Sequence, residues 1–131
     1  MLDDTIKSLQ EATRDVLYMS ESDYPFQIIQ RAGEGRPPDA QTVLELSSRA
    51  GGAVQVVPLE TFFKHLIAEK PWHREQENAT VRKFQKLLQV IRQHLPNAQV
   101  FRVGEIQVDV FILGNTADGD LAGLSTRAIE T

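Results

Sequence analysis

Apolar residues return along this chain at two spacings, and the switches between them mark off helical and extended stretches. Leu2, Ile6, Leu9, Ala12, Val16 and Met19 fall at three- and four-residue steps, with Lys7, Glu11, Arg14 and Asp15 between them. This predicts an amphipathic helix over 3–17, capped by Asp3 or Asp4. It should fray at Tyr18 to Ser20, because Pro25 biases Tyr24 away from helical geometry. Phe26 to Arg31 reads as a strand, stopped by the loop Gly33-Glu34-Gly35-Arg36-Pro37-Pro38. Asp39 is the expected cap of a short helix from Ala40 to Ser48, with Val43, Leu44 and Leu46 inward and Gly51-Gly52 beyond its end. Val54 to Val57 is a short strand. Pro58 suits the first turn of a helix that buries Leu59, Phe62, Phe63, Leu66 and Ile67 on one face.

The longest helical pattern runs from about Glu75 to Leu95. Val81, Phe84, Leu87, Leu88, Ile91 and Leu95 form its stripe, Arg82, Lys83, Lys86 and Arg92 lie off it, and Pro96-Asn97 close it. Gln99 to Val103 and Ile106 to Leu113 then read as a hairpin across Gly104-Glu105, with glycine at the first central position of a II′ turn. In its second strand Ile106, Val108, Val110 and Ile112 alternate with Gln107 and Asp109, which leaves one face half solvated at the start. Phe111 and Leu113 make the later part apolar on both faces. Asn115 to Asp120 is a turn, and Leu121 to Ile129 a final, weaker strand. These elements predict an α+β chain, one domain over 1–131, with a largely antiparallel sheet covered by helices in two or three layers. The 75–95 helix is the natural cover for the C-terminal hairpin.

At 131 residues and 41% hydrophobic, the chain is long enough to bury one core. It contains no cysteine, which excludes disulfides and thiolate metal sites. Its longest apolar run is too short to cross a bilayer and no charged-then-apolar leader opens it, so a cytoplasmic location is expected. The formal charge of −4 is unevenly spread. Residues 1–24 hold six acids and two bases, 25–94 seven acids and ten bases, and 95–131 five acids and two bases. Two acidic ends that meet in the fold form one negative surface. Such a surface argues against direct nucleic-acid binding and for a cationic or metal-bearing partner.

Conventional catalytic patterns are missing. His65, His73 and His94 lie in separate segments without ligand spacing, and His73-Arg74-Glu75-Gln76-Glu77 lacks the second histidine of a zinc-protease helix. No G-x-S-x-G surrounds a serine, and Gly33-Glu34-Gly35 lacks the strand-to-helix setting of a phosphate loop. Glu21 with Asp23 has the residue types of an acid/base pair, at a separation that loops often reach by accident. The chain is therefore read as non-enzymatic and without a cofactor. The acidic corner Ser20-Glu21-Ser22-Asp23-Tyr24 stands out as a contact candidate, and the only tryptophan, Trp72, has two readings: it packs on the short helix before it, or it anchors an interface, tryptophan being enriched where interfaces concentrate their energy. Tyr18 is expected to pack, as a continuation of the first helix.

Met19-Ser20-Glu21-Ser22-Asp23-Tyr24-Pro25-Phe26 resembles a segment of the nuclease A inhibitor family. So do Glu77-Asn78-Ala79 with Lys83-Phe84-Gln85-Lys86-Leu87-Leu88, and the run from Gln99 through Leu121-Ala122-Gly123-Leu124-Ser125-Thr126 to Glu130-Thr131. The likeness is densest after residue 75 and weakest over 32–58. It implies a three-layer α/β/α sandwich without catalysis of its own, binding 1:1 to a sugar-nonspecific nuclease with a histidine-metal (ββα-metal) site. It further implies that Glu21 and the Thr131 carboxylate address that site, the carboxylate through the partner's hydrated magnesium, and that Trp72 joins the contact. Ser20, Ser22, Asp23 and Tyr24 surround Glu21 in this reading. The alternative is a ligand- or peptide-binding α+β module that shares only the fold.

Overall fold

The computed structural model describes residues 2–14, 16–19, 23–31, 37–47, 54–64, 66–68, 75–104 and 107–129. Chain order runs α1 (Leu2–Thr13), β1 (Leu17–Met19), β2 (Asp23–Pro25), β3 (Gln27–Arg31), α2 (Ala40–Leu46) and β4 (Val54–Val57). It continues through α3 (Leu59–Phe63), α4 (Glu75–His94), β5 (Gln99–Val103), β6 (Gln107–Asn115) and β7 (Leu121–Ile129). Helices and antiparallel strands make it an α+β chain, as the periodicity predicts. Five strands form one sheet in the order β3-β7-β6-β5-β4, and β1 pairs with β2 in a separate hairpin.

Strand alternation sends side chains to opposite faces, and each face builds its own core. Val100, Val108, Val110, Ile112, Ala122, Leu124 and Ala128 belong to the larger cluster, where α1 contributes Ile6, Leu9 and Ala12. Leu59 and Phe63 from α3 and Phe84, Leu87, Leu88 and Ile91 from α4 complete that cover. Each fully buried Leu or Phe there is worth about 1.5–3 kcal/mol relative to exposure. On the other face Phe101, Val103, Phe111, Leu113 and Leu121 meet Val43 of α2. The α2 helix is only seven residues long. Asp39 starts it, its Oδ1 accepting from the Thr42 amide at 2.9 Å and the Thr42 hydroxyl at 3.0 Å.

Four expectations are corrected. Helix α1 starts at Leu2, so Asp3 and Asp4 lie in its first turn instead of capping it, and it stops at Thr13. Leu17, expected as the last helical residue, and Tyr18 and Met19, expected in the fraying end, form a strand paired with Asp23 to Pro25, in the register Leu17↔Pro25. The β5–β6 connection is longer than a two-residue turn. Val103 pairs with Asp109, and Gly104 has φ 111°, in the region only glycine occupies without strain. This register sets Phe101 opposite Phe111, where a two-residue turn would have set it opposite Val108. Finally, β7, expected as a weaker strand, is nine residues long, lies between β3 and β6 and pairs with both. Gly123 permits this, since a Cβ there would stand 1.8 Å from the Ile112 carbonyl oxygen. Residues 33–36, Gly51, Gly52, His65, His73 and Glu105 lie outside the described residues.

The sheet has two distinct ends. At one, α4 hands over to β5: Leu95, Asn97 and Ala98 close over Gly114, and His94 Nδ1 meets the Thr5 hydroxyl at 3.4 Å. At the other lie the end of α1, the β1–β2 hairpin, the start of β6 and the end of β7. Because α4 runs away from the first end, its early turns point to the second.

The candidate interface at the hairpin end of the sheet

Two three-residue strands make a hairpin too small to stand alone, so outside contacts must hold β1 and β2. Aromatic rings do so on the core side. The Tyr18 ring stacks on Phe62 at 5.4 Å and meets Phe26 edge-on at 6.3 Å. Phe26 in turn meets Phe84 of α4 edge-on at 6.3 Å. Tyr18 thus packs as expected, but from a strand and not from a helix. Burial raises its hydroxyl pKa above the ordinary 10.0, and the nearby positive charge of Arg102 offsets part of that rise.

Polar side chains hold the hairpin from the sheet side. Thr126 of β7 donates its hydroxyl to the Pro25 carbonyl at 3.0 Å, with the Tyr24 carbonyl at 3.4 Å. The Arg127 guanidinium carbon lies 6.0 Å from the Tyr24 ring centroid, at the outer range of a cation–π contact. Arg127 and Asp109 face each other across the β6–β7 ladder, and Arg127 Nε donates to Asp109 Oδ1 at 3.4 Å. The second oxygen of Asp109 accepts from the hydroxyl of Ser47, at the C-cap of α2, at 3.1 Å. Asp109 was read as a half-solvated strand position; its side chain is in fact only 13% exposed.

Beside these residues, between the hairpin and the end of α2, the surface of the described residues is concave. An open groove of about 330 Å³ results, with Leu46 and Phe111 as apolar surface and Tyr24, Gln27, Ser125 and Arg127 as polar surface. Among the described residues no three acids or histidines come together as a metal site.

Of the seven residues singled out in the sequence, Tyr24 alone has a described side chain, and it is half-buried against Arg127. Asp23 is described as a backbone position in β2, opposite Met19. Ser20, Glu21, Ser22, Trp72 and Thr131 lie outside the described residues. Sequence reasoning missed Arg127, Asp109, Ser47 and Thr126. An acid in one strand and a base in the next gave a faint signal, but pairing them needs the register.

One family model, described as nuclease A inhibitor-like protein, matches residues 3–131. The chain belongs to that family. No curated protein matches it individually. Membership in a family described as inhibitors points to a nuclease as the partner and to a role that blocks chemistry in place of performing it. Within this inhibitor-like fold, the hairpin end is where elements from both acidic segments of the sequence touch, β2 from the first and β7 from the last. No described helix is long and apolar enough to cross a membrane.

Proposed function

We propose that this protein is a stoichiometric inhibitor of a sugar-nonspecific, histidine-metal DNA/RNA endonuclease, and that it plugs the active site of that enzyme. The family match over nearly the whole chain carries the reading. Glu21 and the Thr131 carboxylate enter the nuclease site, the latter through the hydrated magnesium held by the partner. Trp72 is the contact anchor, and Ser20, Ser22, Asp23 and Tyr24 line the approach. The protein acts as a single domain in the cytoplasm, arranged as an α/β/α sandwich with α2 as the thin outer layer, and needs no cofactor.

The direction of the described elements supports this site. Residues 20–22 lie between β1 and β2, residues 130 and 131 follow β7, and residue 72 precedes α4 by three positions. All of these elements run to or from the hairpin end of the sheet. A nuclease groove built for phosphates presents Lys and Arg around a divalent metal, and fixed carboxylates take the place of the phosphates there. Charge-assisted hydrogen bonds to magnesium-bound water gain strength as bulk water is excluded. An interface of the usual size, roughly 1,600 Å² in total, suffices.

Titrating a histidine-metal nuclease with the purified protein should abolish DNA and RNA hydrolysis at an equimolar ratio, with an association rate that falls as salt rises. Glu21→Ala, Trp72→Ala or deletion of Thr131 should each weaken inhibition about 30-fold or more, as loss of a central interface residue does. Full inhibition by the triple variant overturns the site. A few residues appended after Thr131 separate this reading from a ligand-binding module seated in the groove: they spoil the plug and spare the module.

A further inference from the structure

The β3–β7 ladder stops at Gln27↔Ser125, before the hairpin begins. Beyond that point the Thr126 side chain hydrogen-bonds to the hairpin from the sheet, with the Arg127 guanidinium over Tyr24 beside it. Arg127 is held in turn by Asp109, and Asp109 by Ser47, so the chain of contacts runs from β2 through β7 and β6 to the end of α2. We propose that Arg127 and Thr126 form a latch that fixes the β1–β2 hairpin relative to the end of β7, which makes Arg127 a positioning residue for inhibition. The inference rests on the plug reading above.

Two physical arguments carry it. A plug with prongs on two separate elements binds tightly only if their separation is set before the partner arrives, because ordering it during binding costs affinity. The aromatic contacts fix the hairpin to the helical layer, and among the described residues the side chains of 126 and 127 link it to the end of β7. The second argument is charge. Residues 1–24 and 95–131 carry net charges of −4 and −3, from six acids against two bases and five against two. Segments of like charge separate unless something holds them, and Arg127, one of only two bases in the second segment, lies over Tyr24 of the hairpin.

Arg127→Ala in the full chain tests the latch in two measurements. Amide hydrogen exchange of the free protein should quicken roughly tenfold at 17–19 and at 23 and 24, and stay unchanged in β5 and α4. The inhibition constant against a nuclease that the wild type blocks should rise roughly tenfold, through faster dissociation. Arg127→Lys keeps the charge but loses the flat guanidinium, and should fall between the two. Thr126→Val, which removes only the hydroxyl at nearly constant volume, should loosen the same amides and serves if Arg127→Ala fails to fold. Unchanged exchange with unchanged inhibition overturns the proposal. Loosened amides with unchanged inhibition overturn the positioning role, and weaker inhibition with unchanged exchange makes Arg127 a direct contact. A wild type that inhibits no nuclease removes the plug reading, while the exchange measurement still decides the latch.

Discussion

Where α4 hands over to β5, side chains close on backbone. Asn97 Oδ1 accepts from the Asn115 amide at 2.7 Å and Asn97 Nδ2 donates to Asn115 Oδ1 at 2.7 Å. The following turn is tied by Thr116, whose amide donates to the Asp120 carbonyl at 2.9 Å and whose hydroxyl accepts from the Asp120 amide at 3.2 Å. At the hairpin end the links are side-chain contacts of Thr126, Arg127, Asp109 and Ser47, half-exposed at Arg127 and bordered by an open groove. The first arrangement satisfies backbone groups, from the exposed Asn97 and the buried Thr116, and serves stability. The second leaves polar surface for a partner and trades rigidity for access, since a half-exposed ion pair contributes only about 0–1 kcal/mol.

This contrast predicts a double dissociation. The largest effect belongs to Gly123→Ala, which drives a methyl group into the Ile112 carbonyl between the two central strands. Destabilisation of about 3 kcal/mol or more is expected, read as a collapsed urea midpoint, and near-wild-type stability would mean that β7 does not sit so tightly against β6. Asn97→Ala comes next. Loss of both Asn115 contacts should cost about 1–2 kcal/mol, with inhibition per folded molecule unchanged. A weakened inhibition constant in that variant would erase the division of labour between the two ends. Arg127→Ala is its mirror image, with little stability lost and inhibition weakened.

The smallest effect concerns Tyr18. Its pKa is raised in the folded state, so its contribution to stability is complete below the ordinary value of 10.0 and is lost as pH climbs through the higher folded value. Alkaline unfolding of the wild type should therefore steepen above pH 10.0, and Tyr18→Phe should flatten that limb while leaving the neutral-pH midpoint nearly unmoved. An identical alkaline limb in both proteins would place the Tyr18 hydroxyl in solvent.

Local pattern carried much of the fold. The α4 stripe is buried at Val81, Phe84, Leu87, Leu88, Ile91 and Leu95 as its spacing requires, Asp39 caps α2, and β4 and β7 keep their expected bounds. What local pattern lacks is partnership. Leu17-Tyr18-Met19 continues a helical stripe by spacing, and only its pairing with Asp23 to Pro25 makes it a strand. The β5–β6 register depends on how many residues the turn absorbs, which alternation within one strand cannot reveal. The contact of Arg127 with Tyr24 spans over a hundred positions and exists only once both strands are placed. Of the candidate site, the acidic and aromatic corner was visible in composition, whereas the residues that hold it were not.

Strand order also bears on how the protein is made. On the ribosome β7 is synthesised after both strands that flank it, and its Ser125 pairs with Gln27 of β3, far back in the chain. Until Leu121 to Ile129 emerge, β3 has no neighbour in the sheet and the hairpin has neither Thr126 nor Arg127 to rest against. Long-range closure of this kind is slow to form. A nascent chain interrupted before β7 therefore carries its acidic N-terminal corner with its aromatic partners Phe62 and Phe84 but without β7, and the sheet matures late.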